Sequence, residues 1–249
     1  MKKNNILIIF ICAIQNIIAQ TEPIITDRPD QTESAATVPA GYFQGEHGLF
    51  IDVYDLQTEY AIPANLLRYG INDNFELRLE IEPHITQISS VNQSGLLPLA
   101  LGLKSRLLEN ELLELSLIAH VHFADIATEQ FKATHNAITT RLTAAHGIKD
   151  FLNIGYNFGV EWDGETPVPL YVYTFTCGFP LGERLGMFTE VFGNFNDENN
   201  DHFFDAGLTY LLSNNFQADV SGGFHFAMNN YFGGVGLAYR FQLCSKNIE

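Results

Sequence analysis

Past its first twenty positions the chain has no run of about 18 apolar residues, so a helical membrane protein is excluded. Charge is also scarce. Asp, Glu, Lys and Arg together make up 17% of the residues, below the roughly 25% usual in soluble domains. Basic groups are the scarcest of these: 13 Lys and Arg stand against 29 Asp and Glu. That balance excludes nucleic acid as a partner. The acidic sign fits an acidic loop surface as well as a cation-attracting lumen, so it chooses no cargo. The three cysteines are Cys12, Cys177 and Cys244, too few for a disulfide framework.

What is present fits many short strands. Aromatic residues reach 12%, with 20 Phe and 20 Gly. The first residues read as a secretory signal, with Lys2 and Lys3 ahead of an apolar stretch from Ile6 to Ile14 and a small residue, Ala19, at the cleavage point. Cys12 follows Ile11 inside that stretch, without the small residue that a lipid anchor requires. Four regions are therefore expected: a signal peptide (1–19), an N-terminal arm (20–40), a barrel (41–241) and a C-terminal tail (242–249).

From Gly41 to Phe241 the pattern has a period of two. In 151–162, Leu152, Ile154, Tyr156, Phe158, Val160 and Trp162 share one face, opposite Asn153, Gly155, Asn157, Gly159 and Glu161. Segments 75–82 and 216–226 alternate in the same way. Such alternation makes one apolar and one polar face. Lengths of roughly nine to eleven residues match a tilted membrane-crossing strand. Tight turns at 72–74, 149–150 and 213–215, with looser ones near 109–111 and 180–184, interleave with longer stretches near 54–61, 87–96, 124–136, 163–169, 196–202 and 227–231. The expectation is an all-β fold, an up-and-down antiparallel transmembrane barrel of about twelve strands. An even count with short turns on one side places it in the bacterial outer membrane with both termini in the periplasm. Its partners are then outer-membrane lipid and the barrel-assembly machinery. A soluble β-sandwich would also alternate, but lacks a reason for the strand length and the loop asymmetry.

Four segments, LLRYGINDNFELRLE (66–80), LGERLGMFTEVFGNF (181–195), FFDAGLTYLLSNNFQADVSGGF (203–224) and GGVGLAYRF (233–241), together with the arm ITDRPDQTESAATVPAGYFQGE (25–46), resemble the outer-membrane transporter family named for the MetA pathway of phenol degradation. The resemblance implies an outer-membrane barrel that transports small solutes, with a name pointing to aromatic compounds. The chain departs from the usual aromatic C-terminus of such barrels, since QLCSKNIE follows Phe241.

Alternation turns Arg68, Glu76, Arg78, Glu80, Glu82, Lys104, Glu114, Arg141, Glu161, Glu190, Asp205, Asp219 and Arg240 into the barrel. They read either as a solute pathway or as an ion-pair network filling a narrow lumen. Twelve strands fall between filled and open barrels. In the arm, Asp27, Arg28 and Asp30 flank Pro29; a docked turn would bring Arg28 to inward acids and Asp27 or Asp30 to inward arginines, whereas a free leader would not. No cofactor or metal is expected. His120 and His122 share a face but lack a specified third ligand, and the alternation of Asp197, Asn199 and Asp201 fails as a calcium loop at His202 and Leu208. Ser116 with His120 and His122, and Asp219 with Ser221 and His225, also share inward faces. Inward placement keeps them from lipid, so a lipid-acting enzyme is not expected. The leading expectation is a passive channel for small hydrophobic or aromatic solutes; the alternative is a structural or adhesive barrel with a sealed lumen.

Overall fold

The computed structural model describes residues 22–148 and 151–243. The signal peptide, the Lys149-Asp150 turn, Cys244 and the tail beyond it lie outside the described residues. Fourteen strands follow in order: β1 (Tyr42–Val53), β2 (Gln57–Asn72), β3 (Phe75–Ile81), β4 (Pro83–Ile88), β5 (Val91–Leu96), β6 (Leu99–Glu109) and β7 (Glu114–Phe123), then β8 (Ala137–Ile148), β9 (Leu152–Trp162), β10 (Leu170–Pro180), β11 (Leu185–Phe195), β12 (Asn200–Ser213), β13 (Phe216–His225) and β14 (Tyr231–Gln242).

All form one antiparallel sheet that closes on itself, because β1 pairs with both β2 and β14. β3 and β4 are one stave interrupted at Glu82, and β5 and β6 are another interrupted at Leu97-Pro98. Their pairing is nearly continuous, from Ile88↔Val91 down to Phe75↔Ser105. The molecule is thus a closed barrel of 12 staves. Closure leaves no sheet edge in lipid, where each unpaired backbone group costs several kcal/mol.

Three expected loops are shorter than the sequence indicates. Residues 57–61 and 200–202 are strand, and 87–96 is mostly the β4–β5 hairpin, turning at Ser89-Ser90. The second strand of that hairpin, β5, is polar between Val91 and Leu96 at the rim, where no bilayer imposes alternation. The end of β5 is held by the 124–136 loop: Thr128 N–H donates to the Leu96 carbonyl (2.9 Å) and Leu96 N–H to the Thr128 hydroxyl (2.8 Å).

The barrel is inverted relative to a soluble protein. Among its fully buried side chains are Arg68, Lys104, Glu46, Glu76 and Glu190, while Leu77, Leu101, Leu142, Phe158, Phe175, Val220 and Val235 are exposed around the outside. In water so large an apolar surface would aggregate; in a bilayer it is the required outer band. No described helix is long and apolar enough to cross a membrane, and the strands carry the span.

Candidate functional site

Residues 22–40 form no regular element, yet they run through the inside of the barrel as a U. The descending limb is held at Ile24, whose N–H donates to the Asn214 carbonyl (2.7 Å). Arg240 reaches the Glu22 carbonyl (2.6 Å) and Gln44 that of Ile25 (2.8 Å). The crossing passes Glu190, which accepts the N–H of Gln31 (2.7 Å) and the hydroxyl of Thr32. It then meets Asn157, which accepts the Glu33 N–H (2.7 Å) and donates to the Glu33 carbonyl (3.0 Å). The returning limb ends where Val38 N–H donates to Glu76 (2.7 Å).

Asp27 is the centre of this arrangement. Its carboxylate meets Arg78 Nη1 (2.6 Å), Lys104 Nζ (3.0 Å) and Arg68 Nη1 (3.4 Å). It also accepts the backbone N–H (2.9 Å) and hydroxyl (2.6 Å) of Ser34, so it folds the arm onto itself. Burial by itself would push the Asp27 carboxyl up, but Arg68, Lys104 and Arg78 outweigh it and hold the group well below the usual carboxylate range. The three cations are in turn shared with the wall. Arg68 pairs with Glu46 (2.8 Å) and Glu76 (2.7 Å), and Arg78 with Glu76 (3.0 Å) and Glu33 (2.8 Å). A buried charge is tolerated only when so compensated.

Arg28 pairs with Asp219 at 3.0 Å. Its guanidinium lies in a slot over Gly48 and Gly236, where a Cβ would come within 2.0 Å and 2.5 Å of it. Among the described residues, Asp30 pairs with no arginine. It lies beside Glu190, and burial together with that like charge pushes its carboxyl well above the ordinary range. Glu190 faces Asp205 directly across the β11–β12 pair.

The remaining inward residues are spread around this core. Glu80 contacts His120 (3.2 Å), Glu82 contacts His84 (3.0 Å), and Arg141 bridges Glu161 (2.7 Å) and Glu33 (3.7 Å). Glu114 sits near the short-turn end of β7, opposite Ala145. His120 accepts from Arg78 Nε (3.0 Å) and Ser116 donates to the Ala35 carbonyl. Both are thereby engaged with the arm or its partners. Glu46 and Glu33 escaped the sequence reading. Glu46 shares a strand face with Gln44, a signal in plain sight, whereas Glu33 lies in a segment without period.

Above the crossing, toward the long loops, a cavity of about 380 Å³ opens between the ends of β8, β9 and β10, walled by Trp162, Val168, Leu170, Glu161, Asp163 and Glu198 among others. On β11, β12 and β14, Phe192, Phe203 and Phe232 pack ring against ring, with centroids 4.9 to 6.1 Å apart.

Three solved structures share this architecture. The COG4313 outer-membrane channel from Pseudomonas putida F1 superimposes with a TM-score of 0.66 at 10% identity, covering 83% of this chain and 98% of that one. The KdgM porin gives 0.58 at 12%, covering 79% and 99%, and the NanC porin 0.55 at 8%, covering 78% and 98%. At such identities the likeness shows the fold. No curated protein matches the chain. A family model described as "Putative MetA-pathway of phenol degradation" matches residues 26–241, which takes in the arm from Thr26 as well as the barrel, and the chain belongs to that family of outer-membrane barrels.

Proposed function

We propose that the protein is a passive outer-membrane channel for small solutes, closed at rest by the arm that crosses its lumen. The observation that carries this reading is the docked U. It is bound through single side chains at many points rather than built into the sheet, so it can shift without breaking the barrel. The short-turn end faces the periplasm, as in bacterial barrels generally, which puts both ends of the arm on that side. Solutes enter from the long-loop end. The family name and the apolar half of the outer cavity favour hydrophobic or aromatic solutes, moving down their own gradient. Transport also fits better than catalysis: Ser116 and His120 are engaged as described, and His225 accepts the N–H groups of Ala227 (3.0 Å) and Met228 (2.8 Å).

Single-channel conductance in planar bilayers tests the reading. Wild-type protein is expected to open rarely, and Arg28→Ala more often, because one anchor of the crossing is lost. Deleting residues 20–40 is expected to leave an open pore. Silence in all three, from protein shown to be folded by heat-modified gel mobility, would instead establish a sealed structural barrel.

A further inference from the structure

At the long-loop end of the barrel, where β1 lies between β14 and β2, two carboxylates stand face to face. Asp52 of β1 and Glu59 of β2 are direct cross-strand partners, an arrangement in which like charges repel. Glu59 meets only His84, at 3.8 Å, and that imidazole is nearer to Glu82, at 3.0 Å. Among the described residues, Asp52 pairs with no lysine, arginine or histidine. Tyr54 donates to Asp52 Oδ2 (3.0 Å) and Gln57 to Glu59 Oε1 (2.5 Å), so each acid has one oxygen held by a neutral donor.

Asn230 joins this pair from the third strand. It directly precedes β14, in which Phe232, two residues on, pairs with Asp52. Alternation turns residues two apart to the same face. Asn230 is 1% exposed, and it lies against Asp52 and Tyr54 without completing a hydrogen bond to either. Among the described residues, six buried side-chain nitrogen and oxygen atoms lack a hydrogen bond. Three of them are here: Asp52 Oδ1 and both amide atoms of Asn230. Buried polar atoms are almost always satisfied, so such a group marks a place built for something other than a protein partner. Water would satisfy the amide but leave Asp52 facing Glu59 uncompensated. A cation answers both.

The donors suit a hard ion. Carboxylate and carboxamide oxygens, completed by water, are the ligands that calcium takes in its flexible coordination sphere. Among the described residues, no three carboxylate, imidazole or thiol side chains converge. The site therefore has two carboxylates and one carboxamide, and water makes up the rest. An open cavity of about 680 Å³ at the rim, walled by Tyr54, Asp55, Glu59, Asn229 and Asn230 among others, gives entry and room for that water. No spacing in the sequence marks the site, because positions 52, 59 and 230 belong to three different staves.

We propose that Asp52, Glu59 and Asn230 bind a calcium ion, which ties β1 and β2 to the start of β14 at the long-loop rim. Binding does not depend on conduction, so the site stands whether or not the barrel is a channel. So few charged ligands place the dissociation constant at about 10⁻⁴ to 10⁻³ M, as in extracellular calcium modules. Magnesium demands a stricter octahedron and holds its water more firmly, so it binds more weakly.

Equilibrium dialysis with radioactive calcium, on the full-length protein in detergent at pH 7 and physiological ionic strength, tests this. Wild type is expected to show one saturable site, against which equal magnesium competes poorly. Asp52→Asn should weaken it by about tenfold or more. Asn230→Asp places a third carboxylate at the same point and should tighten it by about tenfold, since affinity follows ligand charge. Glu111→Gln, which removes an exposed carboxylate from a short turn, should leave it unchanged. Heat-modified gel mobility would show which variants fold, and Asn230→Asp keeps the test decisive if Asp52→Asn does not. Calcium should also raise the temperature of the mobility shift relative to EDTA in wild type, and not in Asp52→Asn. The proposal is overturned by any of four results: no saturable binding below about 10 mM, equal competition by magnesium, undiminished binding in folded Asp52→Asn, or weaker binding in Asn230→Asp.

Discussion

Asp27 and Asp30 sit three residues apart in the same arm and carry opposite electrostatic burdens. Asp27 is drawn below the carboxylate range by Arg68, Lys104 and Arg78 despite its burial, whereas Asp30 is pushed above that range by burial and Glu190. The contribution of Asp27 to docking is therefore complete above the ordinary carboxylate range, and is lost only as pH falls through its depressed value. Asp30 behaves in reverse. Its protonated form favours docking, so its contribution is present below the ordinary range and fades as pH rises through its elevated value. Conductance of wild type is accordingly expected to rise with pH, while Asp30→Asn should flatten that rise and hold the arm more tightly at neutral pH. A titration of open probability in both proteins checks this; identical profiles would remove Asp30 from the account. Arg78→Ala is a harsher change. It leaves Asp27, Glu76 and Glu33 short of a cation they share, and breaking a buried network of this kind costs about 3–5 kcal/mol. A lower urea midpoint for unfolding from lipid vesicles would register the loss.

The strands were the most legible elements. Residues 151–162 and 216–226 face lipid on one side and lumen on the other, so the bilayer writes a strict period into them, and both expected spans lie within one residue of β9 and β13. Legibility failed where that constraint ends. The β4–β5 hairpin rises beyond the outer band, so its polar VNQSGL strand resembles a loop in sequence. The arm is opaque for another reason: its contacts are made by a chain without period, to residues up to 218 positions away, as Glu22 is from Arg240. The charges around Pro29 marked it, but the glycines that receive it had no signal. A Cβ at Gly70 would lie 2.2–2.3 Å from the carbonyl oxygens of Pro39 and Val38, which are backbone and cannot swing aside, whereas at Gly48 it would meet the movable end of Arg28, and at Gly236 that end and the side chain of Asp219. Gly70→Ala is thus expected to free the returning limb to added protease more than Gly236→Ala does, with the barrel core resistant in both. Equal cleavage would mean that the arm is anchored elsewhere.

For the molecule as a whole, the inversion of polar and apolar surfaces ties stability to the surrounding solvent. Phe158 and Leu142 face each other on the outer surface of β8 and β9, both well exposed. Replacing Phe158 with Lys puts a charge in hydrocarbon at a cost of about 2–4 kcal/mol near mid-depth. The yield of folded protein on refolding into vesicles should fall accordingly. The equivalent change at Leu112, 79% exposed in a short turn, should leave it unaltered. The sequence stated this general inversion plainly. It did not state how full the lumen is, because filling depends on the arm, and twelve staves leave room for either outcome.

The slot that receives Arg28 has a consequence for the order of assembly. It is formed by Gly48 of β1, Gly236 of β14 and Asp219 of β13, strands from the two ends of the barrel sequence. The receptor for the arm therefore does not exist until the last strand has met the first. Although residues 22–40 precede every strand, Arg28 cannot be seated until the barrel has closed, and once seated it rivets the closing seam from within.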